Sequence, residues 1–244
     1  DLHSFPTRRS SDLHIAVTYG VWNTVDVTRL FADVLPRPVY VENDAAAAAI
    51  GELQFGHGLR SPSFFYILIS AGLGGGLVID GNYFRGADGR SGEIGFLPLR
   101  TRRTSARSLQ ECVSLSALFE KLVAAGYEAS RPDELTQLDA AGTALVDEWL
   151  RDAADFLTDP LVAVSCLVNP KAIFIGGRLP AELVDRLAER LNQRLRARSG
   201  EVPVIAPVLR AAMAEHAPAV GAAILPFSEQ LLPSRSTLMK PARE

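Results

Sequence analysis

"ISAGLGGGLVIDG" occupies Ile69–Gly81 and carries five glycines, at 72, 74, 75, 76 and 81. The run before it, "FFYILIS" (Phe64–Ser70), is apolar almost throughout, which marks a strand covered on both faces. The run after it, "GLVIDGNYF", reads as a hairpin turning at Asp80-Gly81, a pair that tolerates the positive φ of a type I′ turn. Gly72–Gly76 would then be a bend between two paired strands, nearly free of side chains and with its N–H groups exposed. Such a bend can wrap an anion, because consecutive N–H groups form a nest. It can equally serve a tight chain crossing and nothing else. No Gly-Lys-Ser/Thr follows, so it is not a Walker A loop, and Gly76 leads into a strand, which does not suit a dinucleotide fingerprint.

Working outward, "RGADGRSGEIG" (Arg85–Gly95) is a second glycine-rich loop. Upstream, "PVYVEN" (Pro38–Asn43) reads as a short β-branched strand. It runs into "DAAAAAIGE", an Ala-rich helix with Asp44 in an N-cap-like position. Val25–Leu35 has helical spacing, with Val27, Leu30, Phe31 and Val34 on one face and Pro36 and Pro38 as stops. His14–Tyr19 reads as a buried strand. Downstream, Leu115, Leu118, Phe119 and Leu122 mark one helix. Leu145, Trp149, Ala153 and Phe156 mark a second, ending near Pro160, with a further helical stretch to Leu167. "KAIFIGGRLP" (Lys171–Pro180) is a buried strand entering a Gly-Gly turn. A helix carrying Leu183, Leu187 and Leu191 follows, then a last strand "VPVIAPV" and a closing Ala-rich helix "AEHAPAVGAAILPF". Strands, a hairpin and crossover helices in this order indicate an α/β domain.

The chain has 244 residues, 48% hydrophobic and 22% charged, with a net charge of −3. No basic field advertises nucleic-acid binding. Cys112 and Cys166 lack partners at metal-ligand spacing and read as small buried hydrophobes in a reducing compartment. No apolar run reaches the roughly 18 residues of a membrane span, and no signal peptide is legible, so the expected location is the cytoplasm. Asp1–Leu13, "DLHSFPTRRSSDL", is polar, basic and unpatterned. It resembles translated sequencing-adapter sequence, the alternative being a disordered basic arm.

Three segments, "VYVENDAAAAAIGE", "ILISAGLGGGLVIDGNYFRGADGRSGEIGF" and "AIFIGGRLP", occur in this order at wide spacing. Together they resemble the ROK family of bacterial sugar kinases and sugar-responsive repressors, from His14 to about Phe227. The resemblance implies an actin-like ATPase (ribonuclease H-like) fold with a partial first lobe, residues 14–57, and a complete second lobe, residues 61–226. The last helix would return toward the first lobe and leave a tail, 227–244. It also implies that Asn43, Asp44 and Glu93 bind sugar hydroxyls, with Asp44 the general base if the protein is a kinase. A carboxylate at a helix start is held ionised by the helix dipole and can take a hydroxyl proton; a plain N-cap role for Asp44 suits the residues as well. Gly72, Gly74 and Gly75 would face ATP phosphates, and Gly176 and Gly177 the adenosine, in a kinase using ATP and Mg.

Four departures bear on activity; the first, a motif that His14 begins too late to include, does not weigh against a kinase, and the other three favour a regulator. The family's Asp-x-Gly-x-Thr phosphate hairpin is absent, and Ala71 stands where the kinases usually have Thr. Phe96 takes the place of the zinc-binding His, and "LRTRRTSARSLQE" replaces the Cys run. Gln110 falls where the kinases carry a further sugar-binding Glu. Zinc needs about four N/S ligands, so no zinc is expected, and packing of Phe96 and Leu97 into the core would have to hold the sugar loop. The expectation is therefore the effector-binding and oligomerisation part of a sugar-responsive transcriptional regulator that binds a sugar or polyol. It would be a dimer or tetramer and reach DNA only through an upstream helix-turn-helix outside this chain. The alternative is a ROK sugar kinase.

Overall fold

A computed structural model describes residues 25–35, 37–87, 89–99 and 104–230. The segment 1–13, the expected strand His14–Tyr19, Asp88, Arg100–Arg103 and the tail from 231 lie outside the described residues. Strands β1 (Phe64–Ile69), β2 (Leu73–Ile79), β3 (Asn82–Tyr83), β4 (Ala172–Gly177) and β5 (Val208–Arg210) form one sheet in the order β3-β2-β1-β4-β5. The first two pairings around β2 are antiparallel, and β4 joins β1 and β5 in parallel. Asp80 and Gly81 have φ of 49° and 74°, the signs a type I′ turn requires.

Both faces of β1 are buried, as its unbroken apolar run demands. Phe65, Ile67 and Ile69 point into the larger core, covered by helices α3 (Leu115–Ala124), α4 (Ala140–Val168) and α5 (Ala181–Ala197). Phe64, Tyr66 and Leu68 face a smaller one, formed with Ala45, Ala48 and Ala49 of α2 (Asp44–Phe55). The closing helix α6 (Ala217–Gln230) lies along α2.

The opening glycines do not form a bend. Only Ser70–Gly72 turns; Gly74, Gly75 and Gly76 lie inside β2, paired with Leu68, Ile67 and Tyr66. They are small because β2 is crowded on both faces. A Cβ on Gly74 would come within 2.8 Å of the Ala45 Cβ, and one on Gly76 within 2.6 Å of the Ala49 Cβ. On the other face, a Cβ on Gly75 would lie 2.4 Å from the Gly92 carbonyl oxygen. On the side of α2 away from the sheet, a Cβ on Gly221 would sit 1.6 Å from the Ala47 oxygen. Small residues therefore let α2 lie almost in backbone contact with the strand on one side and with α6 on the other.

Several local expectations are corrected. Pro38–Asn43 is extended but joins no ladder. The first helix, α1, spans Val27–Ala32 and buries nothing; Leu30, Phe31 and Val34 are exposed. Pro160 does not end its helix: α4 runs through it for 29 residues. Leu157 and Leu161 on either side are fully buried, and Arg194 of α5 and its C-cap Arg198 pair with Asp155 and Asp159 of α4, so tertiary packing overrides the local break. Of "VPVIAPV" only Val208 lies in a strand, which runs on to Arg210, because Pro203 and Pro207 cannot donate to a ladder. The last helix continues past Pro226, beyond the boundary drawn from the sequence. Cys112 is half-buried and Cys166 exposed.

The α2–α6 contact yields a stability prediction. Gly221→Ala should cost at least about 1–3 kcal/mol, the range for overpacking, or abolish folding. Gly200→Ala, where a Cβ would meet nothing within 4 Å, should lie within about 0.5–1 kcal/mol of wild type. Denaturant unfolding of both variants measures the difference.

Candidate functional site

Asn43, not Asp44, is the N-cap of α2. Its side-chain oxygen accepts the N–H groups of Ala45 (2.9 Å) and Ala46 (3.2 Å), and its backbone is extended. Asp44 is the first helical residue. One of its oxygens accepts the Ala45 N–H at 2.8 Å, and the carboxyl is open to solvent. With capping assigned to Asn43, the plain N-cap reading of Asp44 falls. Protein crowds the Asp44 carboxyl on its closed sides, and this dehydration raises its pKa above the usual 3.8 against the lowering pull of the Ala45 and Asp44 N–H groups.

The crossing of α2 over β2 brings this helix start to the edge of the sheet where β1 ends and β2 begins, since Ala45 lies on Gly74. The turn Ser70–Gly72 sits at the same edge. A side chain at Gly72 would meet only the Gln110 amide oxygen, at 3.8 Å, so the turn has an open side with Gln110 beside it. The second glycine loop packs on the face of β2 opposite to α2, with Gly92 backbone to backbone on Gly75, and Gly95 reaches the start of β2 at the Leu73 carbonyl. Glu93 follows, half-buried, at the start of the 3-10 turn Ile94–Phe96. Gly176 and Gly177 end β4 opposite Leu68 and Ile69. Gly177 has φ of 117° with its Cβ position 2.1 Å from the Ile69 oxygen, a place only glycine can take. Beneath Gly176 the Tyr66 hydroxyl is buried without a hydrogen-bond partner among the described residues. Burial, reinforced by the Glu52 charge, pushes its ionisation far above the usual tyrosine range.

Asn43, Asp44, Gly72, Glu93, Gly176 and Gly177 thus gather along one edge, at the carboxyl ends of β1 and β4, where open α/β sheets bind ligands. Gly74 and Gly75 are instead within the sheet, as strand residues without the alternating dihedrals of an anion nest. Phe96 and Leu97 do not hold the loop by burial, since both are exposed. A backbone strap does so: Leu99 donates to the Arg107 carbonyl (2.9 Å) and Leu109 to that of Leu97 (3.0 Å). Trp149 Nε1 pins the strap's far end by donating to the Cys112 carbonyl at 2.8 Å. Among the described residues no group of three or more His, Cys, Asp or Glu stands where it could hold a metal ion.

Two buried carboxylates escaped the sequence reading. Glu52 is fully buried and accepts the N–H groups of His57 (2.9 Å), Ala212 (3.0 Å) and Met213 (2.9 Å), tying the end of α2 to the segment after β5. Glu42 accepts the Asn43 N–H at 3.0 Å and pairs with Arg85. The available signal was an acid set in an apolar run with no basic neighbour in sequence.

The division of labour at the helix start is testable. Asn43→Ala should lose about 1 kcal/mol of stability, the usual worth of an N-cap. Because the raised pKa means the folded state holds the Asp44 proton more tightly than the unfolded state, the contribution of Asp44 to stability is present at acid pH and lost as pH rises through its folded pKa. Asp44→Asn should therefore stay within about 0.5 kcal/mol of wild type at neutral pH, as urea titrations of both variants would record.

Comparison with known proteins agrees with this architecture. The model of the ROK family matches residues 10–228. Protein y4fQ of Sinorhizobium fredii is 34% identical over 200 residues, 81% of this chain and 48% of its own length. The xylose repressor of Lactiplantibacillus pentosus is 28% identical over 178 residues, 71% of this chain and 46% of its own. The chain thus spans about half the length of these curated relatives. Among solved structures, the ROK hexokinase of Thermus thermophilus superposes with a TM-score of 0.65 at 26% identity, over 83% of this chain and 70% of that one. The chain belongs to the ROK family and has its actin-like ATPase fold.

Proposed function

We propose that this chain is the effector-binding part of a sugar-responsive ROK transcriptional regulator, and that it takes a sugar or polyol through Asn43, Asp44 and Glu93. The observation that carries the proposal is the release of Asp44 from capping: Asn43 caps the helix, and Asp44, an exposed residue, stands at the same sheet edge as the Ser70–Gly72 turn. A carboxylate accepts pairs of hydroxyl hydrogen bonds, and the Asn43 amide still has its two donors to offer. The likeness to a xylose repressor supports the regulatory side of the reading. So does the chemistry of the turn. Ala71 brings no hydroxyl, the Ser70 N–H is already given to the Gly72 carbonyl (2.9 Å), and Gly74 and Gly75 are strand residues. That is a poor fit to a nucleoside triphosphate and its magnesium. In this reading Asp44 accepts hydroxyl hydrogen bonds and moves no proton, and DNA contact belongs to parts of the protein beyond this chain.

Calorimetric titration with D-xylose, D-glucose, N-acetylmannosamine and sucrose tests the proposal. One of them should bind, and Asp44→Ala should weaken it by about 1.5–3 kcal/mol, the range for hydrogen bonds to a charged group. Since the ionised carboxylate is the acceptor, affinity should fall as pH is lowered through the raised Asp44 pKa, above 3.8, and this fall should vanish in Asp44→Asn. ADP release with any of these sugars, abolished by Asp44→Asn, would favour the kinase reading instead. Equal binding by Asp44→Ala would put the pocket elsewhere.

A further inference from the structure

Glu42 directly precedes Asn43 and its side chain is only 1% exposed. One carboxylate oxygen accepts the Asn43 backbone N–H at 3.0 Å, and the other pairs with the Arg85 guanidinium. Arg85 opens the second glycine loop. Its guanidinium carbon lies 5.9 Å from the centre of the Tyr83 ring, so strand β3 supports it from behind. The loop then closes on itself at once. The Ser91 N–H donates to the Arg85 carbonyl at 3.3 Å, and the Ser91 hydroxyl donates to the Phe84 carbonyl. Gly92 rests on β2 and Glu93 comes next. A single buried carboxylate therefore joins the helix entry that carries Asn43 and Asp44 to the loop that carries Glu93.

We propose that Glu42 and Arg85 are a pair of positioning residues that hold the two sides of the pocket, Asn43-Asp44 and the loop to Glu93, in one geometry. The inference rests on the sugar-pocket reading for its purpose but not for its existence. Loss of the Arg85 cation takes the ion-pair contact away from a Glu42 side chain that is only 1% exposed, which is unfavourable. The carboxylate must then turn toward water or take a proton, and either change weakens its hold on the Asn43 amide. A brace that served the loop alone would leave the helix entry undisturbed.

Amide hydrogen exchange on the full chain separates these cases without any ligand. Arg85→Ala should raise exchange at residues 42–46 about tenfold, as expected for coupled neighbours, with strands β1 and β4 unchanged. Arg85→Lys, which keeps the charge, should recover most of the protection. Glu42→Gln should loosen residues 84–93 in turn, and the double variant should exceed neither single by much. If Arg85→Ala fails to fold, Arg85→Lys and Glu42→Gln carry the same comparison. Changes confined to the mutated segment, or additive in the double variant, would overturn the proposal. A second arm repeats the titrations with D-xylose and D-glucose: the two single variants should weaken any bound sugar by similar factors, and the double by no more. Sugar binding lost in Arg85→Ala with exchange at 42–46 unchanged would mean that Arg85 touches the sugar itself, and would also overturn the proposal. If neither sugar binds wild type, exchange alone decides on the pair, and the sugar reading fails if N-acetylmannosamine and sucrose do not bind either.

Discussion

The structure depends on how closely one Ala-rich helix can approach its neighbours. On one side α2 lays Ala45 and Ala49 over Gly74 and Gly76 of β2, and on the other its Ala47 carbonyl meets Gly221 of α6. No larger side chain fits at these places, so the helix has one height above the sheet and one position along it. That placement sets the helix start at the carboxyl ends of β1 and β4. The fully buried Glu52 fixes the other end by accepting three backbone N–H groups from beyond the helix. A helix held so tightly can present two short polar side chains with little freedom, which is what recognition of a small hydroxylated ligand needs.

The chemistry at that edge follows from neighbouring residues doing different work. Asn43 spends its carbonyl oxygen on the helix N–H groups, and Asp44, one residue on, keeps its carboxyl toward solvent. In the turn beside them Ala71 and Gly72 carry no polar side chain, and Gln110 offers an amide there.

The parts of the fold written in local chemistry were legible in the sequence. The unbroken apolar run of β1 reports burial on both faces, and Asp80-Gly81 announces its turn through the positive φ it must adopt. The glycines of β2 were misread because a strand hemmed in on both faces and a flexible bend both exclude side chains, and only the packing partner tells them apart. Pro160 was misread as a stop because the contacts that carry α4 through it come from α5, far along the chain. Asn43 and Asp44 are both good caps, and a helix start one residue earlier than it first reads decides between them. Glu42 and Glu52 stayed invisible because their partners, Arg85 and the Ala212–Met213 amides, are brought to them only by the fold.

The proposal turns on Asp44, which leaves the capping of α2 to Asn43. The pKa of its carboxyl, followed by carbon-detected NMR with and without saturating D-xylose or D-glucose, tests this most directly. Hydroxyl donors favour the ionised carboxylate. The account predicts a pKa above the usual aspartate value in the free protein that falls when sugar is added. An ordinary value that neither sugar moves would contradict it.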